Sequence, residues 1–166
     1  MTSAQPETLA MLEKRRIEAE ILKHVYDTLV ASHGEALAQA TIGEAVRRSA
    51  LAQAGRFAAA AGGRTSLETF VESQSLWTKG GALEIEVRER SADNYAFDVV
   101  RCRYAEMYRE MGLGHIGHLL SCNRDFVFSE GYDPKLKLER GQTIMGGAKC
   151  CDFRYRYEDP GAAAEG

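Results

Sequence analysis

The sequence has no run of apolar residues approaching the roughly 18 that a membrane-crossing helix needs, which argues against a transmembrane protein. It has no excess of basic charge either. The net charge is −3, and no Lys/Arg stripe alternates with aromatics, so a nucleic-acid partner is not expected. The N-terminus, Met1-Thr2-Ser3-Ala4-Gln5-Pro6-Glu7, lacks the apolar core of an export signal. The four cysteines form no CxxC pair; without an export signal they read as reduced thiols, and the expected compartment is the cytoplasm. The first helical stretch has no sustained heptad, which argues against a coiled-coil assembly protein, although a homo-oligomer remains compatible with catalysis.

What is present suits one domain spanning 1–166. That length lets a chain bury about two thirds of its unfolded surface, and 45% hydrophobic with 27% charged residues is ordinary for a globular protein. Residues 7 to about 32 predict an amphipathic helix whose core face carries Ile17, Ile21, Leu22, Val25, Leu29 and Val30 at three- and four-residue steps, with Glu13, Lys14, Arg15, Glu18 and Lys23 elsewhere. Pro6 suits its first turn and Gly34 its stop. A second, alanine-rich helix spans about 35 to 61, with Leu37, Ile42, Ala45, Val46, Leu51, Ala54 and Phe57 along one side; Arg47-Arg48 reads as solvated surface. After Gly62-Gly63, Thr65 and Glu68 form a capping box opening a short helix to about Ser75. Trp77, the single tryptophan, reads as core.

After Gly80-Gly81 the period switches to two. Leu83, Ile85 and Val87 alternate with Glu84, Glu86 and Arg88, and Tyr95, Phe97 and Val99 form the buried face of a second strand across the Ser91–Asn94 turn. A helix follows from about Cys102 to Met111, where Cys102 and Glu106 share a face and the helix dipole would lower the thiol pKa. Another helix is expected from about His115 to Asn123. Leu136 and Leu138 mark a strand, and Cys150 to Tyr157 the last one, with Cys151, Phe153, Tyr155 and Tyr157 on the apolar face and Asp152 opposite. The fold class is α+β: a helical N-terminal half (7–76) packed on an antiparallel sheet of about four strands with inserted helices (82–157), then a frayed tail (158–166).

Chemistry concentrates between Arg101 and Tyr157, which holds every cysteine: Cys102, Cys122, Cys150 and Cys151. Acidic residues lie close to three of them: Glu106, Asp125 and Asp152. His115 and His118, at i, i+3, have a spacing that can bind metal, yet such pairs on an exposed helix are more often inert.

The ordered set Arg101-Cys102-Arg103-Tyr104-Ala105-Glu106, Gly112, Cys122-Asn123-Arg124-Asp125, Arg140-x-x-Thr143, Gly146-Gly147 and Cys151-Asp152-Phe153 resembles the L-2-amino-thiazoline-4-carboxylic acid hydrolase family. The resemblance covers about residues 95 to 157 by motif. Cys150 doubles the single cysteine expected there, and His115 and His118 depart from the pattern. It implies hydrolytic opening of a small cyclic amidine or amide, in the namesake case a thiazoline carboxylate opened to an N-carbamoyl amino acid, with no cofactor.

Such a reaction needs a nucleophile or a base that delivers water, and a proton for the departing atom, taken here to be a ring nitrogen. Cys151 is the first candidate nucleophile, Cys102 with Glu106 the rival pair, and Asp125 a catalytic or orienting carboxylate. Arg101, Arg140 or Arg154 can clamp a substrate carboxylate, and Thr143 and Asp152 complete the binding set. The competing reading is a non-enzymatic small-molecule-binding domain similar to vinyl-reductase-type sensor domains, with zinc held by Cys102, Glu106, Cys122 and Cys151.

Overall fold

A computed structural model describes residues 9–158. Pro6, the first residues of the expected helix 7–32 and the tail from Asp159 onward lie outside the described residues. Two long helices, α1 (Met11–His33) and α2 (Glu35–Ala60), meet at Gly34, whose φ of 88° is a conformation that favours glycine. A short helix α3 (Leu67–Ser73) and a single turn α4 (Ser75–Thr78) lead to the hairpin of β1 (Leu83–Arg90) and β2 (Asn94–Cys102). Then come α5 (Arg103–Glu110), a π-helical turn (His118–Cys122), α6 (Arg124–Tyr132), β3 (Leu136–Glu139) and β4 (Cys151–Tyr157). The sheet is antiparallel, in the order β1-β2-β4-β3, so the last strand inserts between the hairpin and β3.

Helices cover one face of the sheet. Phe97 and Phe153, directly opposite across β2 and β4, stack at 4.9 Å, and Phe70 from α3 and Phe128 from α6 pack into the same layer. The other face is polar: Asp98 accepts from Arg88 at 2.8 Å and from Arg154 at 2.9 Å. A second apolar cluster joins α1, α2 and α5 through Ile42, Val46, Tyr104 and Tyr108. Trp77, Leu83 and Cys102 pack against both clusters, so they mark the seam between them.

Several local expectations are corrected. The buried stripe of α1 is Met11, Arg15, Ala19 and Tyr26, while Ile17 and Ile21 are about 60% exposed. The buried face carries Arg15, whose guanidinium donates to Glu18 and Gln53. In α2, Ile42, Val46 and Ala54 are buried as expected, but Leu37 and Leu51 are exposed. Gly43 and Gly55 do not interrupt the helix. Arg47 and Arg48 pair with Glu44 on the surface, as solvated side chains do.

The capping box falls one residue later than read, with Ser66 and Thr69 exchanging bonds. Val87 is exposed because irregularities in the β1–β2 register end the alternation after Ile85. The expected helix 115–123 is only the π-helical turn, and the sequence gives no expectation of α6, whose apolar residues are weakly periodic.

Candidate active site

A cavity of about 70 Å³ opens at the seam between the two clusters. Strand parity explains part of its lining. Val99 and Cys151 are register partners on the helix-covered face, Leu83 faces Cys102 where β2 ends, and Phe153 lies two residues beyond Cys151. From the helical side come Arg15 of α1, Cys122 of the π-helical turn, and Arg124 and Asp125 of α6. The stretch after β3 adds Arg140, Thr143 and Met145. A π-turn displaces side chains from the helical register and recurs at functional sites; here it delivers Ser121 and Cys122 together. A larger surface depression of about 450 Å³, between α3 and the hairpin turn, holds none of these groups.

The electrostatic centre is Asp125. Arg140 Nη1 donates to its Oδ2 at 2.6 Å, while Nη2 donates to the Cys122 carbonyl at 3.1 Å. The Arg140 guanidinium is held between the rings of Phe126 and Phe153, at 4.9 and 5.2 Å, so its position is set by stacking as well as by charge. Burial pushes the Asp125 carboxyl up to about 6, against the opposing pull of Arg140. Burial also pushes up the thiols lining the cavity, Cys122 to about 12 and Cys151 to about 11.

Cys102 caps α5, its Sγ accepting from the Ala105 amide at 3.4 Å. Its pKa was expected to fall at that helix end. Instead desolvation outweighs the backbone hydrogen bonds and raises it. All three thiols are therefore neutral near pH 7, and a buried neutral thiol reacts slowly. At pH 8, buried Cys151 is expected to modify with an aromatic disulfide reagent far more slowly than half-buried Cys150. Mass-mapped labelling that finds Cys151 among the fastest sites would refute this.

Of the residues singled out from sequence, Cys151, Cys102, Cys122, Asp125, Arg140 and Thr143 meet at this cavity. Three do not. Glu106 is exposed and bonded to Arg101, and Arg101 reaches Glu84 as well, because the side chain at the fourth position of α5 turns outward. Asp152 accepts from the Gly141 and Gln142 amides at 3.0 and 2.9 Å, so it pins the segment that carries Arg140 and Thr143. Arg154 sits on the polar face of the sheet with Asp98.

Among the described residues no group of three or more His, Cys, Asp or Glu is placed to hold a metal ion. The zinc set Cys102, Glu106, Cys122 and Cys151 does not fit, since Glu106 is spent elsewhere. His115 sets its ring edge-on against Tyr26.

Trp77, read as core, forms part of the wall. Sequence reading missed Arg15 and Arg124, both buried. The signal was available: an arginine at the i+4 position between Met11 and Ala19 breaks an otherwise small, apolar stripe. Met145 closes one side. A methyl at Gly117 would stand 2.5 Å from Met145 Sδ, so Gly117→Ala is expected to push that flexible tip into the cavity. The stability cost is about 1 kcal/mol, with a clear loss of ligand affinity. Thermal melting paired with calorimetric binding checks both.

No helix among the described residues is long and apolar enough to cross a membrane. The sequence model of the L-2-amino-thiazoline-4-carboxylic acid hydrolase family matches residues 14–155. No curated protein matches the sequence. Among solved structures, the phenol-responsive sensory domain of the transcription activator PoxR is similar at a TM-score of 0.52 and 12% identity, covering 91% of this chain and 79% of that one. A trafficking protein particle complex subunit 3 from Naegleria fowleri, covalently bound to palmitic acid, is similar at a TM-score of 0.50 and 10% identity, covering 88% of this chain and 96% of that one. At such identities the likeness is one of fold.

Proposed function

The chain belongs to the L-2-amino-thiazoline-4-carboxylic acid hydrolase family, and from that premise we propose that the seam cavity opens a small cyclic amidine, such as 2-aminothiazoline-4-carboxylate, by hydrolysis. The observation that carries this reading is the Asp125–Arg140 pair set into a small cavity lined by neutral thiols. A cavity of about 70 Å³ suits one small ring, being well below the roughly 300–1,000 Å³ of sites for larger organic ligands.

With a pKa near 6, Asp125 is mostly ionised at neutral pH yet basic enough to accept a proton. It takes one from a water molecule as the oxygen attacks the amidine carbon between the ring sulfur and the ring nitrogen. Arg140 holds the carboxylate in place and balances its charge. An N-carbamoyl product keeps both carbon–nitrogen bonds, so the bond that breaks is carbon–sulfur, and sulfur rather than nitrogen departs. The sulfur leaves with the bonding electron pair. One water proton ends on the ring nitrogen and the other, returned by Asp125, on the sulfur. This course needs no resting thiolate, and it is favoured over attack by Cys151 because burial keeps that thiol protonated. Cys102, Cys122 and Cys151 then form a soft wall around the ring, and Thr143 offers a hydroxyl to it.

The test is incubation with 2-aminothiazoline-4-carboxylate, following the new thiol and the mass of the N-carbamoyl product. A second reading, ligand capture without turnover, uses the same cavity and the fold shared with a phenol-responsive sensory domain. Stoichiometric binding with no thiol released would favour capture and sink the hydrolase.

A further inference from the structure

β3 and β4 are adjacent antiparallel strands, which a turn of about two to five residues would normally connect. Here they are joined by the longer stretch from Arg140 to Cys150. This arm reaches the seam and gives the cavity Arg140, Thr143 and Met145. It contains neither helix nor strand, so its backbone amides need partners from elsewhere.

Consecutive residues around the start of β4 supply them. Asp152 Oδ1 accepts from the Gly141 amide at 3.0 Å and from the Gln142 amide at 2.9 Å. Cys151 Sγ accepts from the Ile144 amide at 3.2 Å, and Cys150 Sγ from Gln142 Nε2 at 3.2 Å. Sulfur is a weak acceptor, whereas bonds to a carboxylate are roughly twice as strong as those between neutral groups. Asp152 is therefore the main fastening of the arm, although it is not among the residues lining the cavity. Gly141 permits the close approach: a methyl there would stand 3.3 Å from Asp152 Oδ2.

The cavity-lining residues of the arm are not held alike. Arg140 is fixed independently, by Asp125, by the Cys122 carbonyl and by the rings of Phe126 and Phe153. Thr143 bonds only within the arm, to the amides of Gly146 and Ala148, and the Met145 side chain makes no hydrogen bond among the described residues. Between them, Arg109 Nη2 donates to the Ile144 carbonyl at 2.8 Å. The places of Thr143 and Met145 thus depend on how the arm is fastened. Arg124 Nη1 is unpaired but sealed from solvent, so it presents no donor to a ligand.

We propose that Asp152 is a positioning residue: by holding Gly141 and Gln142 from outside the cavity, it sets Thr143 and Met145 as the wall against which the ring binds. The ring as ligand rests on the hydrolase reading; the fastening of the wall rests on the Asp152 bonds.

In Asp152→Ala, KM for 2-aminothiazoline-4-carboxylate is expected to rise on the order of 10-fold, because the ring must then order the wall as it binds. The acid limb of kcat/KM should stay near pH 6, since Arg140 keeps its own anchors. Asp152→Asn retains an acceptor oxygen for both amides and should restore most of the affinity. A purely structural role would lower Tm and leave KM of the folded protein unchanged. NMR of methyl-labelled methionine reads the arm without any ligand, with Met145→Leu identifying its signal among the five methionines. One sharp Met145 signal is expected in wild type and in Asp152→Asn, and a broadened one in Asp152→Ala. If Asp152→Ala does not fold, Gly141→Ala, which presses on the same contact from the arm, is expected to broaden that signal and raise KM.

The inference is overturned if folded Asp152→Ala, or Gly141→Ala in its place, keeps the wild-type Met145 signal, or if KM stays at the wild-type value. It is also overturned if the acid limb moves as far as it does in Arg140→Met. Wild type without turnover, combined with a broadened Met145 signal in Asp152→Ala, sinks the hydrolase reading alone. Turnover with KM and signal unchanged in that variant sinks this inference alone.

Discussion

Asp125→Asn is expected to lower kcat/KM for ring opening by about 10²- to 10⁴-fold, the usual contribution of a positioned general base. Asparagine keeps the shape and still accepts from Arg140 Nη1 through its carbonyl oxygen, so circular dichroism should report an unchanged fold. The pH profile separates loss of the base from general damage. A base works in its deprotonated form, and burial has raised the Asp125 pKa from 3.8 to about 6. In wild type, kcat/KM should therefore fall about tenfold per unit as pH drops below about 6, the free-enzyme pKa. In Asp125→Asn the residual rate should lose that limb. An asparagine variant that retains wild-type activity, or keeps the same acid limb, would remove Asp125 from the chemistry. Cys151→Ala, by contrast, should cost tenfold or less; a complete loss there with Asp125→Asn active would restore the thiol as nucleophile.

Arg140→Met should cost stability and shift the pH profile together. The arginine side chain is 6% exposed and the aspartate 25%, so removing the cation strands a mostly enclosed carboxylate. Such losses run at about 3–5 kcal/mol. The lower end is expected here because the cavity leaves the aspartate partly accessible, and about 3 kcal/mol lowers Tm by on the order of 6–12 °C in a domain of this size.

The direction with pH follows from Asp125. Without the guanidinium its folded pKa rises further above the unfolded value, so the native state binds more protons than the unfolded state across that interval. The stability of Arg140→Met should therefore fall as pH rises from about 4 to 8. Its acid limb in kcat/KM should move above pH 6, with part of the lost activity recovered at pH 8 to 9. Methionine preserves much of the volume between Phe126 and Phe153, so packing loss is kept small. An unshifted limb would mean that Arg140 does not tune the base.

The parts of this protein governed by short-range pattern were readable from the amino acids. Alternation in Leu83–Ile85 and Tyr95–Val99 set the hairpin and its buried face. The same alternation put Cys151 on the helix side of the sheet and Asp152 away from it. Glycines with positive φ at 34, 62, 63, 80, 81 and 112 stand at ends of elements, as read. Ordered motifs also drew Cys102, Cys122, Asp125, Arg140, Thr143 and Cys151 into one candidate set, together with Arg101, Glu106 and Asp152, which stand outside the cavity.

Which of the suspects meet depended on long-range packing. Glu106 follows Cys102 by one helical turn, yet it faces Arg101 and solvent; spacing along a helix gives adjacency, not the direction of the face. Arg15 and Arg124 lie 109 positions apart by number and come within reach of one carboxylate only in the folded chain, where α6 packs on α2 and the π-helical turn meets α1. Hydropathy placed Ile17 and Ile21 inside and Arg15 outside, and the fold reverses that because a buried guanidinium with hydrogen-bonding partners can hold a core position.

Charge state was likewise decided in three dimensions. The helix end at Cys102 favoured a thiolate, but desolvation scales with everything packed around the sulfur, and that outweighed two backbone amides. Sequence thus determined which chemical groups the chain carries and which strands present them. Tertiary structure determined which of those groups share one cavity, and so which carboxylate is basic, which thiols stay neutral and which arginine keeps an unpaired donor.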